Sequence, residues 1–186
     1  MELQQALLSI HPLSENSLHE LMHSWDLSTY PKGHVLSKQD TIEKYIYIVT
    51  RGIIRAYRII NGEEVTFWIG EEGSIACSMR NYVENKPSYE NIETLENCTL
   101  FRIKISDLTC LYDKNIEIAN WGRKFIEYEI IKTENKLIHQ LYLSAKERYN
   151  LLLKERPQLL QRLPLSIIAS YLGITQVSLS RIRGMK

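Results

Sequence analysis

Between Tyr30 and Ile105 turn residues cut the chain into short β-prone runs, and this punctuation constrains the fold more than any other feature. Val35-Leu36, Tyr45 to Val49, Ile53 to Ile60 and Val65 to Ile69 are rich in β-branched and aromatic residues. Gly33, Gly52, Gly62 and Gly73 stand between or beside them. Asn61-Gly62 is the strongest hairpin signal, because a two-residue turn of the favoured type needs positive φ at both central positions. A further strand pair reads at Tyr89 to Leu95 and Thr99 to Ile105. Many short strands at this spacing imply a sandwich or barrel.

Helical periodicity flanks this block on both sides. Leu3, Leu7, Leu8 and Ile10 are spaced for one helical face. After Pro12, Ser14 can cap a second helix striped by Leu18, Leu21, Met22 and Trp25. From Ile116 to about Leu143 there is no proline, and the one glycine, Gly122, lies near the start. Ile126, Ile130, Thr133, Leu137 and Leu141 follow an a/d-like spacing. A second line through Trp121, Phe125 and Tyr128 is placed to face the barrel. A helix of roughly 27 residues is ~40 Å long, more than a small barrel can cover, so part of it should meet another chain. Ser144 then caps an amphipathic helix that ends before Pro157, and a short helix fits Gln158 to Arg162.

The net charge of +1 hides an asymmetry. Residues 1–120 carry 11 Lys/Arg against 17 Asp/Glu, a net of −6, and residues 121–186 carry 12 against 5, a net of +7. A basic C-terminal unit is the electrostatic footprint of a phosphate-backbone binder. The three cysteines, Cys77, Cys98 and Cys110, are odd in number, widely spaced and form no CxxC pair. They are read as buried free thiols rather than a disulfide framework or a zinc or iron–sulfur site. No run of about 18 apolar residues and no signal-peptide pattern is present, so a cytoplasmic chain without a membrane partner is expected.

The most specific segment runs from Leu165 to Arg183 and fits a helix-turn-helix. Ile168, Ala169 and Leu172 make an apolar face, and the small Ala169 allows close approach of a second helix. Gly173 supplies positive φ at the turn. Ile174 plugs the space between the helices, and Thr175 caps the second one. With Leu179 and Ile182 turned inward, Gln176, Val177, Ser178, Ser180, Arg181 and Arg183 are left outward. Gln can pair with adenine and Arg with guanine in the major groove, while Val177 or a serine can meet a thymine methyl or a phosphate. Arg181 is the best candidate for a base contact, and Arg183 and Lys186 for phosphates.

With this motif placed, the chain resembles the cyclic-AMP receptor protein / fumarate-nitrate regulator (CRP/FNR) family over nearly its whole length. The resemblance is carried by Gly33 before Val35-Leu36, Tyr47-Ile48-Val49 leading to Gly52, Arg55 on the next strand, Gly62-Glu63-Glu64, Gly73, the long helix and the helix-turn-helix in that order. It implies an α+β chain: a cyclic-nucleotide-binding-like jelly-roll barrel with N-terminal helices over residues 1–115, a dimerisation helix over 116–143, and a DNA-binding helix-turn-helix over 144–186. It also implies a homodimeric, non-enzymatic transcription regulator that binds double-stranded DNA and a small effector. RNA polymerase is a further partner that it allows.

Two departures bear on function. Cyclic-nucleotide binders of the family carry a Gly-Glu pair shortly after the Gly73 position and an Arg-Ser/Thr pair before the next strand. Here those places read Cys77-Ser78 and, within Ser88-Tyr89-Glu90-Asn91, Tyr89-Glu90. The phosphate partner is missing, and Glu90 puts a like charge beside it, at a cost of ~1–4 kcal/mol. The candidate effector residues are therefore Cys77, Ser78, Arg80, Tyr89 and Glu90, with Arg80 a substitute anion partner, and the effector is read as something other than cyclic AMP. At the C-terminus the sequence stops three residues after Arg183, where many relatives continue into a wing, so either the helix-turn-helix lacks a wing or the sequence is a shortened one. Gln176 and Val177 replace the Arg and Glu of the best-known relatives, whereas Arg181 keeps the family's Arg. The dimer interface is expected at Ile126, Ile130, Leu137 and Leu141.

No cofactor or metal is expected. There is no N-terminal cysteine cluster, and His11, His19, His23, His34 and His139 are scattered. A barrel enzyme of the cupin type needs clustered histidines, and only His34 lies in the barrel segment. The main alternative is an effector-binding signalling or interaction module whose degenerate head no longer binds DNA.

Overall fold

The computed structural model describes residues 1–184; Lys186, expected at a phosphate, lies outside them. The chain opens with helices α1 (Leu3–Ile10) and α2 (Glu15–His23). Ser14 caps α2, its hydroxyl accepting from the Ser17 amide. Then follow β1 (Asp26–Tyr30), β2 (Val35–Ser37), β3 (Tyr45–Arg51), β4 (Ile54–Ile60), β5 (Glu63–Gly70) and β6 (Ile75–Ala76). A short helix, α3 (Met79–Glu84), precedes β7 (Asn91–Thr94) and β8 (Cys98–Lys104). The remainder is helical: α4 (Ile105–Lys114), α5 (Ile116–Tyr142), α6 (Ala145–Glu155), α7 (Leu159–Arg162), α8 (Leu165–Leu172) and α9 (Gln176–Gly184).

The strands form two four-stranded antiparallel sheets, in the orders β1-β8-β3-β6 and β2-β7-β4-β5. Side chains alternate across a strand, and β3 shows what this does. Tyr47 and Val49 enter the core between the sheets with Ile54, Ile92 and Leu100. Ile46 and Ile48 point the other way, into a core closed by Leu7, Leu21, Ile118 and Trp121 from the helices. Trp121 ties these layers together by donating its indole N–H to the Leu7 carbonyl at 2.8 Å. The β4–β5 hairpin turns at Asn61 and Gly62 with φ of 52° and 84°, as that dipeptide requires.

Helix α5 begins at Asn115, whose side-chain oxygen accepts from the Glu117 and Ile118 amides. Its inward line runs through Ile118, Trp121 and Phe125, all buried. Beyond Phe125 that line turns polar, through Glu129, Lys132, Lys136 and Gln140. Tyr128 was expected to face the barrel and does not; it is 48% exposed, because it sits beside this line, not on it. The thiols also differ from expectation: Cys98 is buried, Cys77 half-buried and Cys110 exposed. On α4 the buried position belongs to Leu108, and a residue two further on points to the opposite side.

Candidate functional site

The candidate functional residues gather in three places: the C-terminal helix pair, the outer face of α5, and the end of the barrel around α3 and β7.

In the C-terminal pair the axes of α8 and α9 are bent by 98°, within the range of a helix-turn-helix. Gly173 adopts φ +67° at the end of α8, a conformation that L side chains rarely take, and a Cβ there would also push aside the end of the Gln140 side chain of α5. The Ile174 amide then closes back on the Ala169 carbonyl at 3.0 Å. Thr175 caps α9, its hydroxyl accepting from the Ser178 amide at 3.1 Å. Leu179 is wholly buried with Ile168, Ala169 and Leu172, and Ile182 is half-buried. Gln176, Val177, Ser180, Arg181 and Arg183 are exposed together on α9, while Ser178 is half-buried beside its cap. The anchor holds one side and leaves the opposite side free, with the two arginines in the last turns.

On α5, Ile130, Leu137 and Leu141 are more than half exposed along the outer face. Ile126 is half-buried against the barrel core, so the free stripe starts one turn later than the a/d spacing suggests. Ile131, Ile138 and Tyr142 add a second exposed apolar line beside it.

At the barrel end, Ser78 caps α3. Arg80, on that helix, reaches Glu84 at 3.8 Å with its side chain 44% exposed. Glu90 is 3% exposed, and its Oε2 has no partner among the described residues. Burial pushes its carboxyl above the usual range, and hydrogen bonding from Ser78 offsets this only in part. Burial likewise pushes the Cys77 thiol up to about 12, helped by the Glu129 and Glu90 carboxylates. Tyr89 stacks obliquely with Phe67 of β5, ring centroids 6.4 Å apart. Ser88 is wholly buried and donates to the Lys38 carbonyl, so it holds the chain and does not face a ligand. Among the described residues no Lys or Arg pairs with this carboxyl, and a buried acid with one free oxygen is a poor neighbour for an anion.

Sequence spacing missed one group of residues that the structure brings together. Arg162 of α7 donates to Glu96 at 2.9 and 2.7 Å and to Glu72 at 3.2 and 2.9 Å. Arg156 donates to Glu71 at 2.6 Å, and the Gln158 amide donates to the other oxygen of the same carboxylate at 2.6 Å. Ile53, Ile69 and Leu95 of the barrel share one apolar cluster with Leu159, Ile168 and Leu179 of the C-terminal helices. Among the described residues no helix is by itself long and apolar enough to cross a membrane, and no three potential metal ligands cluster.

Residues 27–115 match the family model of the cyclic nucleotide-binding domain. Among solved structures, FixK2 from Bradyrhizobium japonicum superposes with a TM-score of 0.74 at 20% identity, covering 86% of this chain and 83% of that one. The c-di-GMP responsive global regulator CLP of Xanthomonas campestris gives 0.73 at 14% identity, over 92% and 90% of the two chains. The catabolite activator protein of Thermus thermophilus gives 0.61 at 18% identity, over 96% and 85%. No curated protein sequence matches at a significant level. Residues 27–115 are thus similar to the cyclic nucleotide-binding domain, and the chain as a whole shares the fold of these solved structures.

Proposed function

We propose that this chain is a homodimeric, DNA-binding transcription regulator of the CRP/FNR type whose barrel responds to an effector other than cyclic AMP. Its working units are the effector barrel (1–115), the dimerisation helix (116–143) and the DNA-binding head (144–186). The observation that carries the reading is α9: capped by Thr175, pinned by Leu179, and presenting Gln176, Val177, Arg181 and Arg183 to solvent on one face. A helix held in this way suits entry into the major groove, where Arg181 can fork onto a guanine and Arg183 can meet a phosphate. Names of structural neighbours that are regulators support the same reading. The exposed Ile130, Leu137 and Leu141 stripe supports pairing through α5, which would present two recognition helices. Nothing in the proposal calls for catalysis, a cofactor or a membrane; it places the protein in the cytoplasm, with RNA polymerase as a further partner.

Anisotropy of labelled duplexes from the gene's own promoter region tests this as a function of salt. Binding should weaken steeply with salt, and Arg183→Ala should weaken all sequences alike and reduce the log–log slope by about 1. Failure to bind any duplex at low salt would favour an effector-binding module with a head that no longer reads DNA.

A further inference from the structure

Strand β5 ends its sheet, so one of its edges meets no other strand. Such an edge leaves a row of N–H and C=O groups unpaired and open to wrong partners. Here the C-terminal helices take them. Ser170 of α8 accepts from the Thr66 amide at 2.8 Å and donates to the Glu64 carbonyl at 2.8 Å. Lys136 of α5 donates to the Phe67 carbonyl at 2.7 Å, and Arg156 donates to the Ile69 carbonyl at 3.0 Å. The register slip between Ala56 and Tyr57 of β4 leaves Phe67 as the extra residue of β5. A bulge of this kind reverses the alternation beyond it. It therefore aims the Phe67 and Ile69 carbonyls at the same free edge as Glu64 and Thr66.

The head, together with Lys136 of α5, thus engages this edge at Glu64, Thr66, Phe67 and Ile69, and the dock is locked at one end of the barrel. Glu71 and Glu72, between β5 and β6, and Glu96, between β7 and β8, converge there on Arg156 and Arg162. Glu72 is itself held by the Gly52 amide at 2.9 Å, which ties the β3–β4 turn into the lock. A planar guanidinium that meets two carboxylates through four hydrogen bonds fixes an angle as well as a distance. The docked head keeps its α9 reading face uncovered, and the apolar stripe of α5 also stays free. The dock therefore orients the recognition helix; it does not hide it.

We propose that Arg162 is a positioning residue. By gripping Glu72 and Glu96 it sets the direction in which the recognition helix leaves the barrel, and hence the half-site spacing that the dimer accepts. This rests on the DNA-binding reading given above. The full-length Glu72→Gln/Glu96→Gln variant tests it, because both positions keep their shape and lie away from the reading face. Two readouts are used: affinity for an inverted repeat selected by the wild type against affinity for a single half-site duplex, and hydrogen exchange of the Thr66 amide. Expected is at least a tenfold loss on the inverted repeat, half-site binding within twofold of wild type, and faster exchange at Thr66. Inverted-repeat affinity within twofold of wild type, or tighter than wild type, would overturn the proposal. A wild type that binds no duplex defeats the regulator reading alone; unchanged exchange at Thr66 in the variant would then overturn the dock.

Discussion

The barrel holds carboxylates at both of its ends, and they meet opposite fates. Glu90, at the end where a cyclic nucleotide would be expected, is almost wholly buried with one oxygen unpartnered. Glu72, at the end that meets the head, is more open, accepts from Gly52 and is forked by Arg162. Burial pushes the Glu90 carboxyl up. At Glu72 burial acts in the same direction, but the hydrogen bonds from Arg162 and the Gly52 amide outweigh it and bring the carboxyl down to about 2. Desolvation alone disfavours charge; desolvation with a good partner favours it. The first end is a poor home for a ligand phosphate, while the second uses its acids to hold the basic head.

The largest effect that would sharpen this contrast is at the paired end. Arg162→Ala leaves two acids facing each other without their cation. The site lies between a surface pair and a buried one, so the expected loss is about 2 kcal/mol in a urea melt. A loss under about 0.5 kcal/mol would mean that solvent replaces the guanidinium freely.

Acid titration separates the two ends by sign. Glu72 has a folded value below its ordinary 4.5. Its contribution is fully present above pH 4.5 and is lost as pH falls towards about 2. Glu90 has a folded value above 4.5, so it opposes folding at neutral pH, and this opposition fades as pH falls through the raised value towards 4.5. Wild type should therefore gain stability on mild acidification and lose it on strong acidification. Glu90→Gln should remove the first limb and Glu72→Gln should flatten the second. The same limbs in all three proteins would contradict the assignment.

At neutral pH, Glu90→Gln removes the charge and keeps the shape, so a stabilisation of about 1 kcal/mol is expected. Destabilisation by that amount would show that the second carboxylate oxygen also has a partner. The smallest effect is an expected zero. Calorimetry with cyclic AMP at micromolar concentrations should give no binding isotherm, and ordinary one-to-one binding would break the contrast.

How much of this could be read in the sequence depended on the range of the signal. Asn61-Gly62, Ser14, Gly173 and Thr175 act on neighbours within a few residues, so their turns and caps were legible. The 27-residue α5 was legible from its length and lack of proline. Strand β1 was not, because its exposed Asp26, Leu27 and Thr29 give no clean alternation, and it is held by β8, more than 65 residues away. Helix α3 buries one residue, too few to print a period, whereas α4 does carry one, with Ile105, Leu111 and Tyr112 packed around the buried Leu108. The residue types at Cys77, Ser78 and Glu90 were visible, but the solitary burial of Glu90 was not. The lock was invisible altogether, since Arg162 and its acids lie 66 and 90 residues apart. The acid-front, base-back asymmetry was a trace of it. Part of that basic charge, expected for DNA, is spent on the barrel at Arg156 and Arg162.

The central claim is that α9 reads DNA in a two-fold arrangement, and selection of bound sequences from a random duplex pool tests it most directly. The wild type should enrich an inverted repeat with half-sites about 10 bp apart, centre to centre, or a multiple of that. Arg181→Ala should lose preference at one base pair in each half-site, a discrimination of ~1–3 kcal/mol. A wild-type pool with no enriched inverted repeat, or an Arg181→Ala pool with the same repeat and unchanged preference, would contradict the account.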